Sequence, residues 1–273
     1  MTINCQGNLV DISSPRVMGI LNSTPNSFYD GGKYRSDLEF LGQVEKMLDQ
    51  GASFIDIGAY SSKPDADWVS EEEELQRILP VANLILKEFP NTLISIDTFR
   101  SEVAKRAINQ GAAMINDISA GLLDPNMLEV VGQLQVPYIM MHMRGTPKTM
   151  AKLTDYKDIV LEMNFYFSER IAAARSFGIK DIILDPGYGF AKTMEQNYEV
   201  LQKQELFKFF ELPLLVGVSR KSMIYKLLDI EAREALNGTS VVNTIALTKG
   251  ANILRVHDVK EAVEVITIVK QLL

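Results

Sequence analysis

The sequence predicts a single-domain (β/α)8 barrel that spans residues 1–273. Eight short apolar segments alternate with segments of helical pattern, and strict alternation implies parallel strands joined by right-handed crossovers. A chain of 273 residues suits a barrel, which typically needs about 250. No shift in composition marks a linker or a second domain. The alternative is an open doubly wound sheet, but neither GxGxxG nor GxxxxGKS/T follows the first strand.

Each predicted strand is a short apolar run that ends at polar or turn-forming residues. The sixth, IILD at 182–185, shows this most clearly, because a Pro-Gly turn follows it at once. Such a run is typical of a strand that is buried on both faces. The eight predicted strands are 16–22, 53–58, 92–97, 113–117, 138–143, 182–185, 214–219 and 252–257.

The helix boundaries are predicted from capping residues. Ser36 is expected to cap a helix over 37–50, which Gly51 would stop. Ser70 followed by three glutamates predicts a capping box, and the acidic residues suit the positive end of the helix dipole. A further helix is predicted to end at Gln110. The remaining helical segments span about 125–134, 157–177, 195–208, 221–228, 240–249 and 259–272, and Asp258 would cap the last of them.

Composition and charge exclude several classes of protein. The net charge of −7 and the pI of about 5.1 make nucleic acid an unlikely partner, although a small anion could still bind in a locally basic pocket. Cys5 is the single cysteine, which excludes an intrachain disulfide framework and a thiolate zinc cluster and fits a reducing compartment. The first residues lack the pattern of a signal peptide, and no apolar run would span a bilayer. We therefore expect a cytoplasmic protein without a membrane partner.

Polar residues recur at the predicted C-terminal ends of the strands. In a (β/α)8 barrel this end carries the chemistry. Ordinary turn residues would be Gly, Ser, Asp and Asn, whereas this set also includes Lys, Arg and both histidines of the chain. We therefore favour an active-site mouth over a set of caps. The residues are Asn22, Gly58, Asp97, Asn116, Asp117, His142, Asp185, Arg220, Lys221, Arg255 and His257.

The basic members of this set indicate an anion site. Arg255 and His257 are two residues apart on one strand, so their side chains share a face. Together with Arg220, Lys221 and the loop residue Lys63 they form a basic cluster on an acidic protein. Phosphate sites lie near strands 7 and 8 in many barrels, and Arg and Lys are the usual phosphate partners. The alternative is a rim of salt bridges.

The acidic and amide members suit a different ligand. Asp97, Asn116 and Asp185 offer carboxylates and an amide side by side, which fits a flat heterocycle with several N–H donors and acceptors. The same carboxylates could instead be general bases. Asn22, with phosphate oxygens and water, could hold Mg²⁺ loosely, because this ion prefers oxygen ligands.

Several stretches resemble the dihydropteroate synthase family. They are GILNSTPNSFYDGG (19–32), SIDT (95–98), INDIS (115–119), MHMRGTPKTM (141–150), DPGYGFAKT (185–193), LLVGVSRKSM (214–223) and RVHDV (255–259). They occur in the family's order and cover essentially the whole chain. The resemblance implies a homodimeric (β/α)8 enzyme of folate biosynthesis that joins a pterin pyrophosphate to p-aminobenzoate with Mg²⁺, the family in which sulfonamides mimic p-aminobenzoate.

The resemblance also implies roles for individual residues. The pterin ring would be held by Asp97, Asn116, Asp185 and Lys221, with Phe190 beside it. The pyrophosphate would be held by Arg255 and His257, with Arg220 nearby, and Asn22 would be the metal ligand. The catalytic set would be Asp97, Asp185, Lys221, Arg255 and His257. Two loops, one around Phe28 and one around Ser62, Lys63 and Pro64, would close over the substrates, and Ser222 and Phe190 would border the p-aminobenzoate pocket.

Two loops depart from the family's pattern. The second usually resembles GGESTRP, whereas residues 58–64 are GAYSSKP. Lys63 therefore replaces an Arg, and the two are not equivalent where forked contacts are made. Ser62 keeps the hydroxyl of the usual Thr, and Asn26 stands where Asp is usual. These changes put substrate affinity and sulfonamide response in question.

Three alternatives remain at the level of sequence. A pterin-barrel methyltransferase would share the acids but would not need the SRKS and RVHD segments. A non-catalytic pterin-binding paralogue is conceivable because of the second loop. An unrelated phosphate-sugar barrel enzyme would need a Schiff-base Lys or a Glu base at a strand end, and neither is evident.

Overall fold

Eight parallel strands form the wall of a barrel in the computed structural model, which describes residues 1–22, 33–59 and 69–272. The strand order is β8-β7-β6-β5-β4-β3-β10-β9, and a bridge between Leu184 and Leu214 joins the two ends. This confirms the barrel and excludes the doubly wound sheet. The strands are β3 Arg16–Asn22, β4 Phe54–Gly58, β5 Ile94–Asp97, β6 Met114–Asp117, β7 Tyr138–Met141, β8 Ile182–Asp185, β9 Leu215–Val216 and β10 Ile253–Val256.

Helices follow the strands on the outside of the wall. Short 3₁₀ segments lie at Met150–Lys152, Gln204–Phe210 and Ala232–Glu234. The helices within the described residues are α1 Lys33–Asp49, α2 Glu71–Glu88, α3 Ser101–Asn109, α4 Met127–Leu134, α5 Ile159–Ser176, α6 Met194–Gln202, α7 Ser222–Tyr225, α8 Leu236–Thr248 and α9 Val259–Val269. None of these helices has the length and apolar character that crossing a membrane requires.

Several predicted boundaries are confirmed and others are wrong. Ser70 caps α2 by accepting from the backbone N–H of Glu73. Ser36 is not a cap, because α1 already begins at Lys33. The helix predicted over 195–208 ends at Gln202 and continues as a 3₁₀ segment. The seventh strand is only two residues long, because the Val218 carbonyl accepts from Lys221 N in a turn.

A hairpin of β1 (Thr2–Cys5) and β2 (Asn8–Asp11) closes the N-terminal end of the barrel, and it was not predicted. Gln6 and Gly7 form its turn, both with positive φ. The alternating runs on either side of this pair were the signal that could have revealed it. Cys5 is buried in the hairpin, and burial raises the pKa of its thiol to about 12, which agrees with a structural role.

Side chains alternate along each strand between the helices and the barrel interior, and the interior contains two different layers. We call Phe54, Met114, Ile183 and Ile253 the lower layer; they pack with Ile3, Cys5 and Ile12 of the hairpin region. We call Asp56, Asn116, Asp185 and Arg255 the upper layer. Each upper-layer residue is two positions beyond its lower-layer counterpart on the same strand, so it points to the same face, nearer the C-terminal end. The wall therefore places four polar side chains directly above an apolar floor.

Candidate active site

Arg255 links two carboxylates across the upper layer. Its Nε donates to Asp56 Oδ2 at 2.6 Å, and its Nη2 donates to Asp97 Oδ2 at 2.8 Å. Asn116 Nδ2 also donates to Asp56 Oδ2, at 3.2 Å. Burial alone would lower the pKa of Arg255, but the charges of Asp56 and Asp97 outweigh it and raise that pKa, so the guanidinium stays charged. The two carboxylates thus hold a permanent cation at the mouth.

Asp97 is poised to change its charge near neutral pH. Burial raises the pKa of this carboxyl to about 7, against the opposing effect of Arg255 and with the nearby charge of Asp56 adding to the rise. A carboxyl group with such a pKa can present either an acceptor pair or an O–H donor to a ligand. Perturbed groups of this kind in a cleft are typical of functional sites.

Asp185 and Lys221 are two further buried ionisable groups at the mouth, and each shifts the pKa of the other. Burial raises the pKa of Asp185, and the charge of Lys221 opposes this rise. Burial lowers the pKa of Lys221 to about 8, against the effect of Asp185. Asp185 Oδ1 accepts from Gly187 N at 2.8 Å. Lys221 Nζ donates to the Tyr188 carbonyl at 2.5 Å and lies 4.5 Å from the centre of the Phe190 ring, a cation–π contact.

His257 and Ser219 are linked at the end of β10. The Nδ1 atom of His257 lies 3.1 Å from Ser219 Oγ, which also accepts from His257 N at 3.2 Å. The histidine residue is exposed, as a group that meets an incoming ligand must be. Ser222 is the first residue of α7. It follows Ser219 by three positions in the sequence and is partly exposed.

Arg220 is held by Asp258 and by the backbone of residue 233. Its Nε and Nη2 each donate to a different oxygen of Asp258 at 2.8 Å, and its Nη1 donates to the carbonyl of Arg233 at 2.6 Å. Asp258 stands at the N-cap position of α9, as predicted, but its side chain makes no cap bond and binds Arg220 instead. The predicted contact of Arg220 with pyrophosphate stays a prediction. Its backbone has a φ of 55°, a strained conformation for a residue other than glycine.

Two other strand-end residues have mainly structural partners. Asp117 accepts from the Tyr138 hydroxyl at 2.5 Å, from Ser119 and from Gly121 N, so it shapes the turn after β6. His142 is buried and its Nδ1 lies 3.1 Å from Lys192 Nζ. Neither residue joins the network around Arg255.

Several predicted residues lie outside the described residues, so the predictions made for them stay predictions. They are Asn26, Phe28, Ser62, Lys63 and Pro64. Asn22 is placed by its backbone only: it pairs with Gly58 at the C-terminal end of β3 and is therefore at the mouth. An amide oxygen there, with ligand phosphate oxygens and water, is the kind of donor set that Mg²⁺ accepts.

Asp56 is a site residue that the sequence analysis missed. It is fully buried in the middle of β4, and its Oδ1 has no hydrogen-bond partner among the described residues. The signal was present, because a carboxylate within the apolar segment SFIDIG is costly unless a cation pairs with it. Asp56 lies two residues before the end of its strand, whereas the predicted site residues lie at or just past the strand ends.

Comparisons with known proteins agree with this geometry. Residues 18–257 match the family described as pterin binding enzyme. The chain is 44% identical to dihydropteroate synthase of Escherichia coli (strain K12) over 272 residues, which cover 99% of this chain and 96% of that protein. Among solved structures, Yersinia pestis dihydropteroate synthase with a sulfonamide drug complex has a TM-score of 0.93 and 40% identity, covering 100% and 99% of the two chains.

A third relative has a p-aminobenzoate ligand. Xanthomonas albilineans dihydropteroate synthase with 4-aminobenzoic acid has a TM-score of 0.91 at 35% identity, covering 99% of this chain and 97% of that one. The fold and the matched family first define a pterin-binding enzyme of the (β/α)8 class. Within that class, the chain belongs to the dihydropteroate synthase family. The predicted family and enzyme class are confirmed.

Proposed function

We propose that the mouth of this barrel condenses 6-hydroxymethyl-7,8-dihydropterin pyrophosphate with p-aminobenzoate, giving 7,8-dihydropteroate and pyrophosphate. The reaction is that of the family to which the chain belongs. The observation that supports it most directly is the upper layer itself. Arg255 joins Asp56 and Asp97, Asn116 donates to Asp56, and the charges of Asp185 and Lys221 lie near enough to shift each other's pKa.

The pterin ring fits the acidic and amide groups. Asp97 and Asp185 can accept hydrogen bonds from ring and amino N–H groups, and Asn116 can both donate and accept. Lys221 can donate to the ring's acceptors, and its charge opposes the rise that burial causes in the pKa of Asp185. The apolar lower layer closes the space beneath, so these contacts are made away from water and are correspondingly strong.

Departure of pyrophosphate needs positive charge, and the mouth supplies it. The bond between the pterin methylene carbon and the pyrophosphate oxygen breaks, and the electron pair leaves with the oxygen. Arg255, and Lys63 from the second loop, would neutralise the growing negative charge, which is where electrostatic catalysis acts most strongly. Partial burial and the charge of Arg255 lower the pKa of His257, so this residue would contribute a hydrogen bond from a neutral ring. Asp97 and Asp185, which accept hydrogen bonds from the N–H groups of the ring, would stabilise the electron-poor ring that remains.

The proposed cation site uses Asn22. Bound Mg²⁺ would supply further neutralisation of the pyrophosphate oxygens. Asn22 would contribute its amide oxygen from the end of β3, beside the His257 end of β10 that pairs with the same strand. The described part of the chain would thus contribute one neutral ligand residue, and substrate and water would provide the other ligands.

The second substrate would bind nearer the surface. Phe190 and Ser222 would border p-aminobenzoate, whose amine then attacks the electron-poor methylene carbon and loses a proton to water. A new C–N bond results, and no covalent enzyme intermediate is needed. Phe190 is itself held over Lys221, so the two substrate sites share a wall. Sulfonamides would bind in the same place as p-aminobenzoate.

We also propose a cytoplasmic homodimer. Val241 and Ile245 are exposed one turn apart on α8, and Leu227 and Leu228 are exposed after α7. Exposed apolar residues on adjacent elements are typical of an interface. Sedimentation equilibrium would test this: the mass expected is twice that of the chain, and Val241→Glu should shift it toward the monomer.

Product formation from the two substrates, with and without Mg²⁺, tests the proposed reaction. Dihydropteroate formation that depends on Mg²⁺ would support both the condensation and the cation site. Tight pterin binding without turnover would favour a non-catalytic pterin-binding protein and direct attention to the second loop, where Lys63 and Ser62 replace the family's Arg and Thr.

A further inference from the structure

Lys192 and His142 form a buried pair that the proposed reaction does not use. Lys192 is 8% exposed and His142 is 2% exposed. The Nζ atom of Lys192 lies 3.1 Å from His142 Nδ1, 2.9 Å from the Gly187 carbonyl and 3.1 Å from the Phe190 carbonyl. A buried amine is costly, so three specific partners in one place call for an explanation beyond packing.

The two carbonyls belong to the turn that leaves β8, residues 186–191, which we call the β8 turn. Gly187, Gly189 and Ala191 all have positive φ, at 67°, 82° and 48°. Because every second residue has a positive φ, the N–H and C=O groups of this turn cannot all pair in a regular backbone hydrogen-bond ladder. Phe190 N does donate to the Gly187 carbonyl, at 3.1 Å. Side chains provide the remaining support, and Lys192 is the one that contacts two carbonyls of the turn.

Other side chains support separate points of the β8 turn. Asn197 Oδ1 accepts from Gly189 N at 2.7 Å, and the Tyr156 hydroxyl donates to the Ala191 carbonyl at 2.9 Å. Lys221 holds the Tyr188 carbonyl from the side of the mouth. Two lysines therefore hold the turn through different carbonyls: Lys221, in the candidate site, binds that of Tyr188, and Lys192 binds those of Gly187 and Phe190.

The β8 turn begins at one proposed ligand group and carries another. Asp185 is fixed by the strand: its carbonyl accepts from His142 N at 2.9 Å, and its carboxylate accepts from Gly187 N. Phe190 lies near the far end of the turn. Its carbonyl accepts from Lys192 Nζ, and its backbone N–H donates to the Gly187 carbonyl. Loss of Lys192 should therefore displace Phe190 more than Asp185.

The contacts of Lys192 can be made in both of its charge states. Burial lowers the pKa of Lys192 to about 7, against the effect of Asp185, and Lys221 lowers it further. Burial also lowers the pKa of His142 well below its ordinary value, so the ring is neutral. A charged Lys192 donates to both carbonyls and to His142 Nδ1, whereas a neutral amine donates to the carbonyls and accepts from Nδ1–H.

We propose that Lys192 is a positioning residue that fixes the β8 turn through the carbonyls of Gly187 and Phe190 and so sets the place of Phe190 at the p-aminobenzoate site. His142 orients the amine, and the effect reaches the second substrate rather than the pterin. This inference rests on the proposed function. It adds a specificity role for a residue that would touch neither substrate.

Steady-state kinetics of Lys192→Met test this, with both substrates varied in turn. Met has nearly the length of Lys but donates no hydrogen bond. Lys203→Met is the matched control, because Lys203 follows α6 and pairs with Glu199 through an exposed ion pair. We expect the KM for p-aminobenzoate to rise about tenfold in Lys192→Met, with kcat and the KM for the pterin substrate within threefold of wild type. The control should match wild type in all three.

Lys192→Gln adds a rescue test, because Gln keeps an N–H donor without the charge. Its KM for p-aminobenzoate should lie between those of wild type and Lys192→Met, and it serves alone if the Met variant does not fold. A KM for p-aminobenzoate within twofold of wild type in Lys192→Met would overturn the inference. The same result in Lys192→Gln would overturn it if the Met variant does not fold. So would an equal rise in both KM values together with a lower melting temperature, which is the result of a general loss of structure. Wild-type protein that forms no dihydropteroate would instead contradict the proposed function.

Discussion

The lower and upper layers of the barrel interior differ in chemistry although they share strands and face. Phe54, Met114, Ile183 and Ile253 are almost wholly buried and contact the hairpin region. Two residues further along the same strands stand Asp56, Asn116, Asp185 and Arg255. Asp56 binds both Arg255 and Asn116, and Asp185 accepts from Gly187 N in the turn that follows its strand. A shift of two residues, about 7 Å, separates the part of the interior that stabilises the fold from the part that would bind substrate.

The difference shows how the barrel can support a costly polar site. Buried charges destabilise a protein unless they are paired, and one oxygen of Asp56 has no partner among the described residues. The apolar layer beneath and the hairpin that covers it provide compensating burial. We therefore expect substitutions in the lower layer to change stability and substitutions in the upper layer to change ligand affinity.

The largest expected effect on stability comes from Phe54→Ala in the lower layer. The substitution leaves a cavity in a fully buried site, and it should lower the free energy of unfolding by about 3–5 kcal/mol. Urea denaturation measures this. KM values determined below the unfolding transition should stay within twofold of wild type. A large rise in KM for Phe54→Ala without loss of stability would show that the lower layer acts on substrate binding. The two layers would then not differ in role.

Lys221→Met should have the largest effect on pterin binding. It leaves the buried Asp185 carboxylate without its neighbouring cation, so affinity for the pterin substrate should fall by about 2–5 kcal/mol. Isothermal titration calorimetry measures this, and Lys226→Met, at an exposed position in the same segment, is the control. Affinity within twofold of wild type would exclude Lys221 from the pterin site.

A pH profile sharpens the comparison by isolating Asp97. Because burial raises the pKa of Asp97 to about 7, the carboxylate is lost as pH falls below that value. If the ionised form binds the pterin, kcat/KM for that substrate should fall about tenfold for each pH unit below the pKa. In Asp97→Asn the acidic decline should disappear and the plateau should be lower. A decline that persists in the variant would assign it to another group.

The smallest expected effect comes from Arg220→Lys. Lys cannot form the two-point contact with Asp258, so the free energy of unfolding should fall by about 1 kcal/mol. KM for the pterin pyrophosphate should change less than threefold if Arg220 serves the frame of the mouth. A tenfold rise with unchanged stability would instead support the predicted contact with pyrophosphate.

The sequence predicted the barrel because alternating apolar and amphipathic segments are a local signal repeated eight times. It predicted Asp97, Asn116, Asp185, Lys221 and Arg255 because they stand at strand ends and because the resemblance assigns them roles. The structure brings together in one network the residues around Arg255, which are far apart in the chain.

Other features depend on contacts that no local pattern encodes. Asp56 lies within its strand rather than at the end, and its role appears only once Arg255 is seen to reach it from 199 residues away. The ion pair of Arg220 with Asp258 likewise joins two residues that follow different strands and lie 38 positions apart, so no local pattern indicates it. The short seventh strand follows from a hydrogen bond at Val218, which the apolar run 214–219 does not reveal.

The most direct test compares two residues on β8, Ile183→Ala in the lower layer and Asp185→Asn in the upper layer. The affinity for dihydropterin pyrophosphate would be measured for both, together with urea unfolding. We predict that Asp185→Asn weakens binding at least about 30-fold with little change in unfolding, whereas Ile183→Ala lowers the free energy of unfolding by about 2–5 kcal/mol and leaves affinity within threefold. Weaker pterin binding in Ile183→Ala than in Asp185→Asn would contradict the account.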